Sequence, residues 1–536
     1  MTMTLPRINA ETLYNRITQQ TELAVLDVRE EGVFAQAHVL AASNVPFSRL
    51  ERLLPPLVPR LATPIVLIDD NEHLAQRAAS VLHDSGYSDV SVLAGGIASW
   101  KARGLEVFEG VYVPSKAFGE FVEIHYATPH ISAHEFQERR DRGEDIVLID
   151  SRPFDEYNWI TIPGAINCPG GELVLRVREI VKTETTLVVV NCGGRTRSII
   201  GAQSLIDAGL PNPVLSLKDG TQGWHLSGLA VERGARRVAP LPADAALCWA
   251  RTAADRLAER HRVPVITRDT LARFEREQDS TTLYRFDVRD VAEYSAGHRR
   301  GFRSAPGGQL VQATDTFIAV RKARIVLADS DGVRARATAA WLVRMGFAHV
   351  YVVGDETVGE TLETGMPADP ILDVRQPVFD EVSVEQLSGL LDGGKAVVVD
   401  VATSRMYRAG HIPGAWFAIR GRFTQDAHAL PKAPVYVVTS PDSVFARLAA
   451  GELRAATNAD IKVLAGGTAA WSDAGLALET DQHRFISEPN DVFLKAFERT
   501  DRQEEAMRQY LQWELDLVQQ VNRDGTVSFS FEPQES

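Results

Sequence analysis

Residues 187–210 read LVVVNCGGRTRSIIGAQSLIDAGL, and the fold follows from how this stretch is parsed. An apolar, β-branched run ends at Asn191, which predicts a strand buried on both faces. Cys192, Gly193, Gly194, Arg195, Thr196 and Arg197 follow. A helix is expected to open near Ser198 and to bury Ile199, Ile200, Leu205 and Ile206. Two glycines and a small threonine let the loop wrap back, so that successive N–H groups point inward. The helix N-terminus adds its dipole and unsatisfied amides to the same cup.

The surrounding pattern recurs four times. AVLDVRE, IVLIDSR, YRFDVRD and VVVDVAT place Asp27, Asp150, Asp287 and Asp400 at strand ends. Three copies continue as Asp-x-Arg, with Arg29, Arg152 and Arg289, whereas the fourth departs from the pattern around Thr403. A turn phrase follows, IPGAINCP at 162–169 and GHIPGAWF at 410–417, with looser versions AHVLAASNVP and GHRRGFRSAP. Each copy then has a second strand (PIVLID, LVVVN, RIVLAD, VYVVT), a helical stretch and a third strand (VSVLAGG, VLSLKDG, VYVVGDE, IKVLAGG). Three copies close on Trp100, Trp224 and Trp471, at 73, 74 and 71 residues from the Asp, a constancy that argues for true repeats. Short strands alternating with helices imply an α/β fold of three-layer units with parallel sheets. The domains are placed at 5–110, 125–235, 262–366 and 378–480. Residues 236–261 read as a linker that becomes helical, and 488–524 as a C-terminal helix capped by Asn490 or Asp491. That helix is expected to pack on the fourth domain, with a homodimer contact as the alternative.

A chain of 536 residues is too long for one core, and 45% hydrophobic with 24% charged residues is ordinary for a globular protein. The net charge of −14 argues against nucleic acid and anionic membranes as partners, so an anionic substrate needs a local positive pocket. MTMTLPRINAETL lacks the make-up of a signal peptide, and no apolar run is long enough to span a bilayer, so a cytoplasmic location is expected. Three cysteines are too few and too scattered for a disulfide framework or a zinc site, and no metal or other cofactor is expected.

A cysteine alone at a strand end usually reads as a buried structural residue. Followed by Gly-Gly-Arg-Thr-Arg-Ser and a helix start, Cys192 reads instead as a nucleophile. Its thiol is expected to ionise well below the free value of about 8.5. Residues Gly193 to Ser198 (Gly193, Gly194, Arg195, Thr196, Arg197, Ser198) are expected to bind an anion, with both guanidiniums available to it or one of them turned outward into a salt bridge. Asp150 and Arg152 are expected to be a structural ion pair that supports the pocket. The matching strand ends of the other copies carry Asp70, Ser330 and Ser440, followed by DNEHLAQ, SDGVRAR and SPDSVFA in place of a Gly-rich cationic loop. Those domains are expected to be inert, structural or closed over the active one. Cys168 could act as a resolving thiol but reads better as structural. Cys248 is expected to pack near Trp249, and His298 and His411 read as turn histidines rather than metal ligands.

Together, the Asp-x-Arg strand, the IPGAIN phrase, the strand-Cys-loop-helix and the terminal Gly-x-x-Gly-Trp resemble rhodanese, the thiosulfate and mercaptopyruvate sulfurtransferase family. The resemblance implies a five-stranded parallel sheet in a three-layer α/β/α fold. It also implies a cycle in which Cys192 takes a sulfane sulfur as a persulfide and passes it to a thiol or cyanide acceptor. Phosphatases of this fold have five residues between their Cys and the Arg that follows. Here Arg197 follows after four residues and Ser198 comes next, a shorter loop that suits one sulfur atom. Two cationic residues favour a compact anion such as thiosulfate, a thiosulfonate or a persulfide. A mercaptopyruvate sulfurtransferase and a non-enzymatic persulfide carrier or scaffold remain the alternatives.

Overall fold

The computed structural model describes residues 5–19, 21–354, 361–368, 370–372 and 378–531. The stretch that opens the sequence analysis lies at the centre of the second of four sheets. That sheet runs His130–Ile131, Val214–Leu217, Leu187–Asn191, Ile146–Asp150, Ile166–Asn167, with all neighbours parallel. Val188, Val189 and Val190 are wholly buried, as a strand covered by helices on both faces requires. The third and fourth sheets repeat this order. In the third, Val350–Val353 is the strand expected from VYVVGDE, whose Asp355 and Glu356 lie outside the described residues.

The recurring signals have physical explanations. The side chains of Arg29, Arg152 and Arg289 each clasp the Asp two residues earlier and donate to one carbonyl, of Ala37, Ile160 and Gly297 respectively. Each buried ion pair thereby pins a strand end to the turn after the next helix. In the fourth domain Ala402 stands at the arginine's position, and Thr403 caps the helix Ser404–Ala409. The indoles of Trp100, Trp224 and Trp471 donate to the carbonyls of Glu106, Ala230 and Ala477 and close the last turn of their domains. His298 and His411 stack on Tyr294 and Tyr407, and their Nδ1 atoms face those tyrosines' carbonyls.

Several expectations are corrected. The helix Asp244–Arg260 buries Ala250, Ala253 and Ala254 against Val174, Leu175 and Val333, so the linker is a packed spacer between the second and third domains. Cys248 on it is exposed rather than packed. Val320–Arg321, from the third repeat, pairs antiparallel with Leu23–Asp27 and extends the first sheet. Neither Asn490 nor Asp491 caps the terminal helix. The helix is Gln503–Asp524, and the only helical turn just before it is a short 3-10 turn at Ala496–Glu498. It does not rest on the fourth domain. Its Leu517 and Val521 pack with Leu40, Phe108, Val113 and Ala117, along the helix Val113–Tyr126 that joins the first two domains.

Candidate functional site

Cys192 follows the strand Leu187–Asn191, and the helix Thr196–Asp207 begins two residues earlier than expected. Its Ile206 is partly exposed rather than buried. Two neighbouring segments hold the loop in shape. The amides of Thr221 and Gln222 donate to the carbonyls of Cys192 and Gly193 at 2.8 and 3.1 Å. Gly220, at φ +55°, approaches so closely that a Cβ there would lie 2.5 Å from the carbonyl oxygens of Cys192 and Gly194. Asn191 ties the strand end to Asp150 and Thr221 at 3.2 and 3.1 Å. Asp150 and Arg152 thus form the expected ion pair, and Arg152 also lies along the loop, with its side chain beside Gly193.

Cys192 is 2% exposed, and its sulfur lies 3.6 Å from the Ser198 hydroxyl, which itself donates to the Arg195 carbonyl. Burial pushes the thiol up, against the opposing pull of Arg197, the Ser198 hydroxyl and the amides of Gly194 and Ser198. The expectation of a strongly acidic resting thiol is corrected: the donors are present, but desolvation outweighs them.

The two arginines separate. Arg195 turns away from the sulfur into a buried cluster with Glu120, Glu123 and Asp219, and carries no free charge to a ligand. Arg197 bonds Glu156 at 2.8 Å and stays close enough to Cys192 to act on its ionisation. Although burial pushes Glu156 up, Arg197 and Lys495 together hold it well below the usual carboxylate range. The Thr196 hydroxyl reaches Glu514 of the terminal helix at 3.2 Å.

Above the loop lies a chamber of about 560 Å³, lined from the second domain by Arg152, Gly193, Gly194, Arg197 and Gln222. The third domain contributes Gln309, Gln312 and Phe317, the preceding helix Lys116, and the C-terminal segment Phe493, Phe497 and Tyr510. Tyr510 and Glu514 press onto Gly194, where a Cβ would meet them at 3.0 and 3.2 Å. Burial first, then Glu514 and the sulfur of Cys192, push the Tyr510 phenol well above its ordinary range. Lys116, Glu156, Tyr510 and Glu514 are site residues that the sequence analysis does not single out. Glu514, a carboxylate four residues after Tyr510 on the buried stripe, was the available signal. Cys168 lies wholly buried in an apolar cluster with Ile149, Leu173 and Val190, where burial pushes its thiol far up, which places it poorly for a resolving role.

The register of the first, third and fourth domains is also corrected. Asp27 pairs with Ile68, Asp287 with Ala328 and Asp400 with Thr439, just as Asp150 pairs with Asn191. The residues equivalent to Cys192 are therefore Asp69, Asp329 and Ser440, not Asp70 and Ser330. Asp69 accepts the amides of Glu72, Leu74 and Ala75, and Asp329 those of Gly332 and Ala335. Ser440 accepts that of Ala446.

Comparison with known proteins accords with this architecture. The rhodanese-like domain family matches residues 9–103, 132–227, 270–355 and 383–474. The chain is similar to a crystal structure of thiosulfate sulfurtransferase from Pseudomonas aeruginosa, 44% identical, with a TM-score of 0.95 over 98% of this chain and 100% of that one. Shorter similarities reach an HTH-type transcriptional regulator of Mycobacterium tuberculosis (37% identity; 20% of this chain, 45% of that protein) and the centrosomal protein of 41 kDa of Xenopus tropicalis (31%; 14% and 22%). The chain thus spans less than half the length of these two curated relatives. Four matched repeats built on one sheet order, with one cysteine-bearing loop among them, make this chain a member of the rhodanese family with four rhodanese-like domains.

Proposed function

We propose that the protein is a sulfurtransferase that moves sulfane sulfur through a persulfide on Cys192. The observation that carries the reading is the sulfur itself, seated among the amides of Gly194 and Ser198 and within reach of the charge of Arg197. The similarity to the Pseudomonas aeruginosa thiosulfate sulfurtransferase over nearly the whole chain supports it.

In the proposed cycle the thiolate of Cys192 attacks the outer sulfur of thiosulfate or a related thiosulfonate or persulfide anion. The donor's S–S bond breaks and sulfite, for thiosulfate, leaves with the electron pair. The loop amides and Arg197 then hold the anionic persulfide, a task for preorganised donors in a dry site. A thiolate or cyanide acceptor attacks the outer sulfur and returns Cys192 as thiolate.

Incubating the purified chain with thiosulfate or with mercaptopyruvate and weighing the intact protein tests this. One added sulfur atom on Cys192, removed by cyanide as thiocyanate, is the expected result. A chain that takes up no sulfur from either donor would refute the reading, and mercaptopyruvate as the better donor would refute the preference for thiosulfate.

A further inference from the structure

We propose that Lys116 holds the carboxylate of an organic thiol acceptor in the chamber above Cys192. The inference rests on the sulfur-transfer reading and adds to it the class of acceptor.

Lys116 stands on the helix Val113–Tyr126, outside the second domain's own sheet. It is 5% exposed and lines the same chamber as Gly193, Gly194 and Arg197. Its ammonium lies 4.6 Å from the ring centre of Tyr510 and 4.7 Å from that of Trp513. Among the described residues, no acceptor reaches it within hydrogen-bond or ion-pair distance. The other cations on the chamber wall are spoken for: Arg152 by Asp150, and Arg197 and Lys495 by Glu156. The ammonium opens onto the chamber with two aromatic faces beside it, a setting that leaves its N–H donors for a ligand. An anionic ligand group would accept from them.

The remaining walls say what kind of molecule carries that anion. About 560 Å³ is the volume of a pocket for an organic ligand and far more than a five-atom inorganic anion fills. Trp159, Phe317, Phe493 and Phe497 line the same chamber and offer apolar surface for a carbon skeleton. In the transfer step, the acceptor thiol gives its proton to solvent and its thiolate lone pair forms a bond to the outer sulfur of the persulfide. The bond from that sulfur to Cys192 breaks, its electron pair stays on Cys192, and the acceptor leaves as an organic persulfide. No net oxidation occurs.

The charged groups facing Lys116 are Glu514 and Asp315, which favour its charge, and Arg197 and Lys495, which oppose it. Burial dominates and brings the ammonium down to about 8. Recognition of a carboxylate should therefore be present below that value and fade as pH rises through it.

The test compares 3-mercaptopropionate with 2-mercaptoethanol as acceptors of sulfur from the thiosulfate-loaded full-length chain. The readout is the ratio of their kcat/KM values. Lys116→Met should lower the acid-to-neutral ratio about tenfold, chiefly through KM, as loss of one charge-assisted contact implies. Lys116→Arg should keep most of the ratio and remove its decline near pH 8. An acid-to-neutral ratio equal in wild type and Lys116→Met overturns the proposal, whether or not the variant is slower with both thiols. If wild-type Cys192 takes up no sulfur at all, the transfer reading fails and takes this one with it.

Discussion

Asp69 and Cys192 occupy one position in two copies of the same fold, at the carboxyl end of the central strand. The Asp69 carboxylate accepts three backbone amides, from Glu72, Leu74 and Ala75, at 2.5, 2.7 and 3.0 Å. The loop after this strand is thus an anion cradle in the first domain, around a carboxylate. In the first and third domains a carboxylate of the chain fills it permanently. In the second, the sulfur of Cys192 takes that place.

The first prediction follows from that comparison. Asp69→Cys, Asp329→Cys or Ser440→Cys, each in a Cys192→Ser background, should not restore sulfur uptake. Five residues beyond the cysteine position the second domain has Arg197, where the others have Leu74, an Arg334 bound by Glu172, Glu293 and Asp331, and Phe445. Intact-mass measurement after thiosulfate treatment checks this; a persulfide on any grafted cysteine would show that the nucleophile alone limits those domains.

Arg195 and Arg197 should behave oppositely. Arg195→Met leaves Glu120 without its buried partner and should destabilise the fold by about 3–5 kcal/mol, the usual cost of breaking such a pair. Arg197→Met should cost less stability and act on the thiol. Removing the nearby cation moves the Cys192 ionisation further up, so iodoacetamide alkylation should slow at pH 8 and recover at higher pH. Denaturant melts and alkylation rates across pH separate the two, and equal effects on both readouts would contradict the assignment.

Gly220→Ala should cut sulfur transfer at least tenfold. A methyl there collides with two carbonyls of the catalytic loop at 2.5 Å and demands a positive φ as well. Gly228→Ala, at φ +75° with open space around it, is the control and should cost about 1 kcal/mol of stability without touching transfer. Steady-state rates of the two variants, each beside its melting curve, decide the matter.

The fourth domain should carry its own pH dependence. Its Asp400 has no guanidinium partner from the Asp-x-Arg pattern, and burial pushes it up to about 7, above the ordinary value of about 3.9. A raised carboxyl stabilises the fold below its unfolded value and loses that contribution as pH climbs toward 7, by about 1.4 kcal/mol per pH unit. Asp400→Asn should therefore flatten the fall in that domain's melting temperature between pH 5 and 7. An unchanged slope would mean that other groups set it.

The sequence alone determined whatever depends on local pattern. Valine-rich runs between turn signals read as buried parallel strands, and the Asp and turn phrase of all four units, with the Trp of three, recur because each makes a short-range bond inside its own domain. The Cys192 loop was legible for the same reason, since its glycines and the helix that follows are contiguous in the chain. The register at Asp69 and Asp329 lies one residue before Asp70 and Ser330, because strand pairing and not the apolar run sets where a strand ends. Tertiary structure decided the rest. Nothing near Arg195 in sequence shows that Glu120, 75 residues earlier, draws its guanidinium away from the sulfur. Nor does the pattern of 503–524 say which apolar face it covers. Only packing puts Tyr510 and Glu514 against Gly194 and turns Lys116 onto the chamber, because burial at a junction of several domains is a property of the assembled surfaces and not of any one segment.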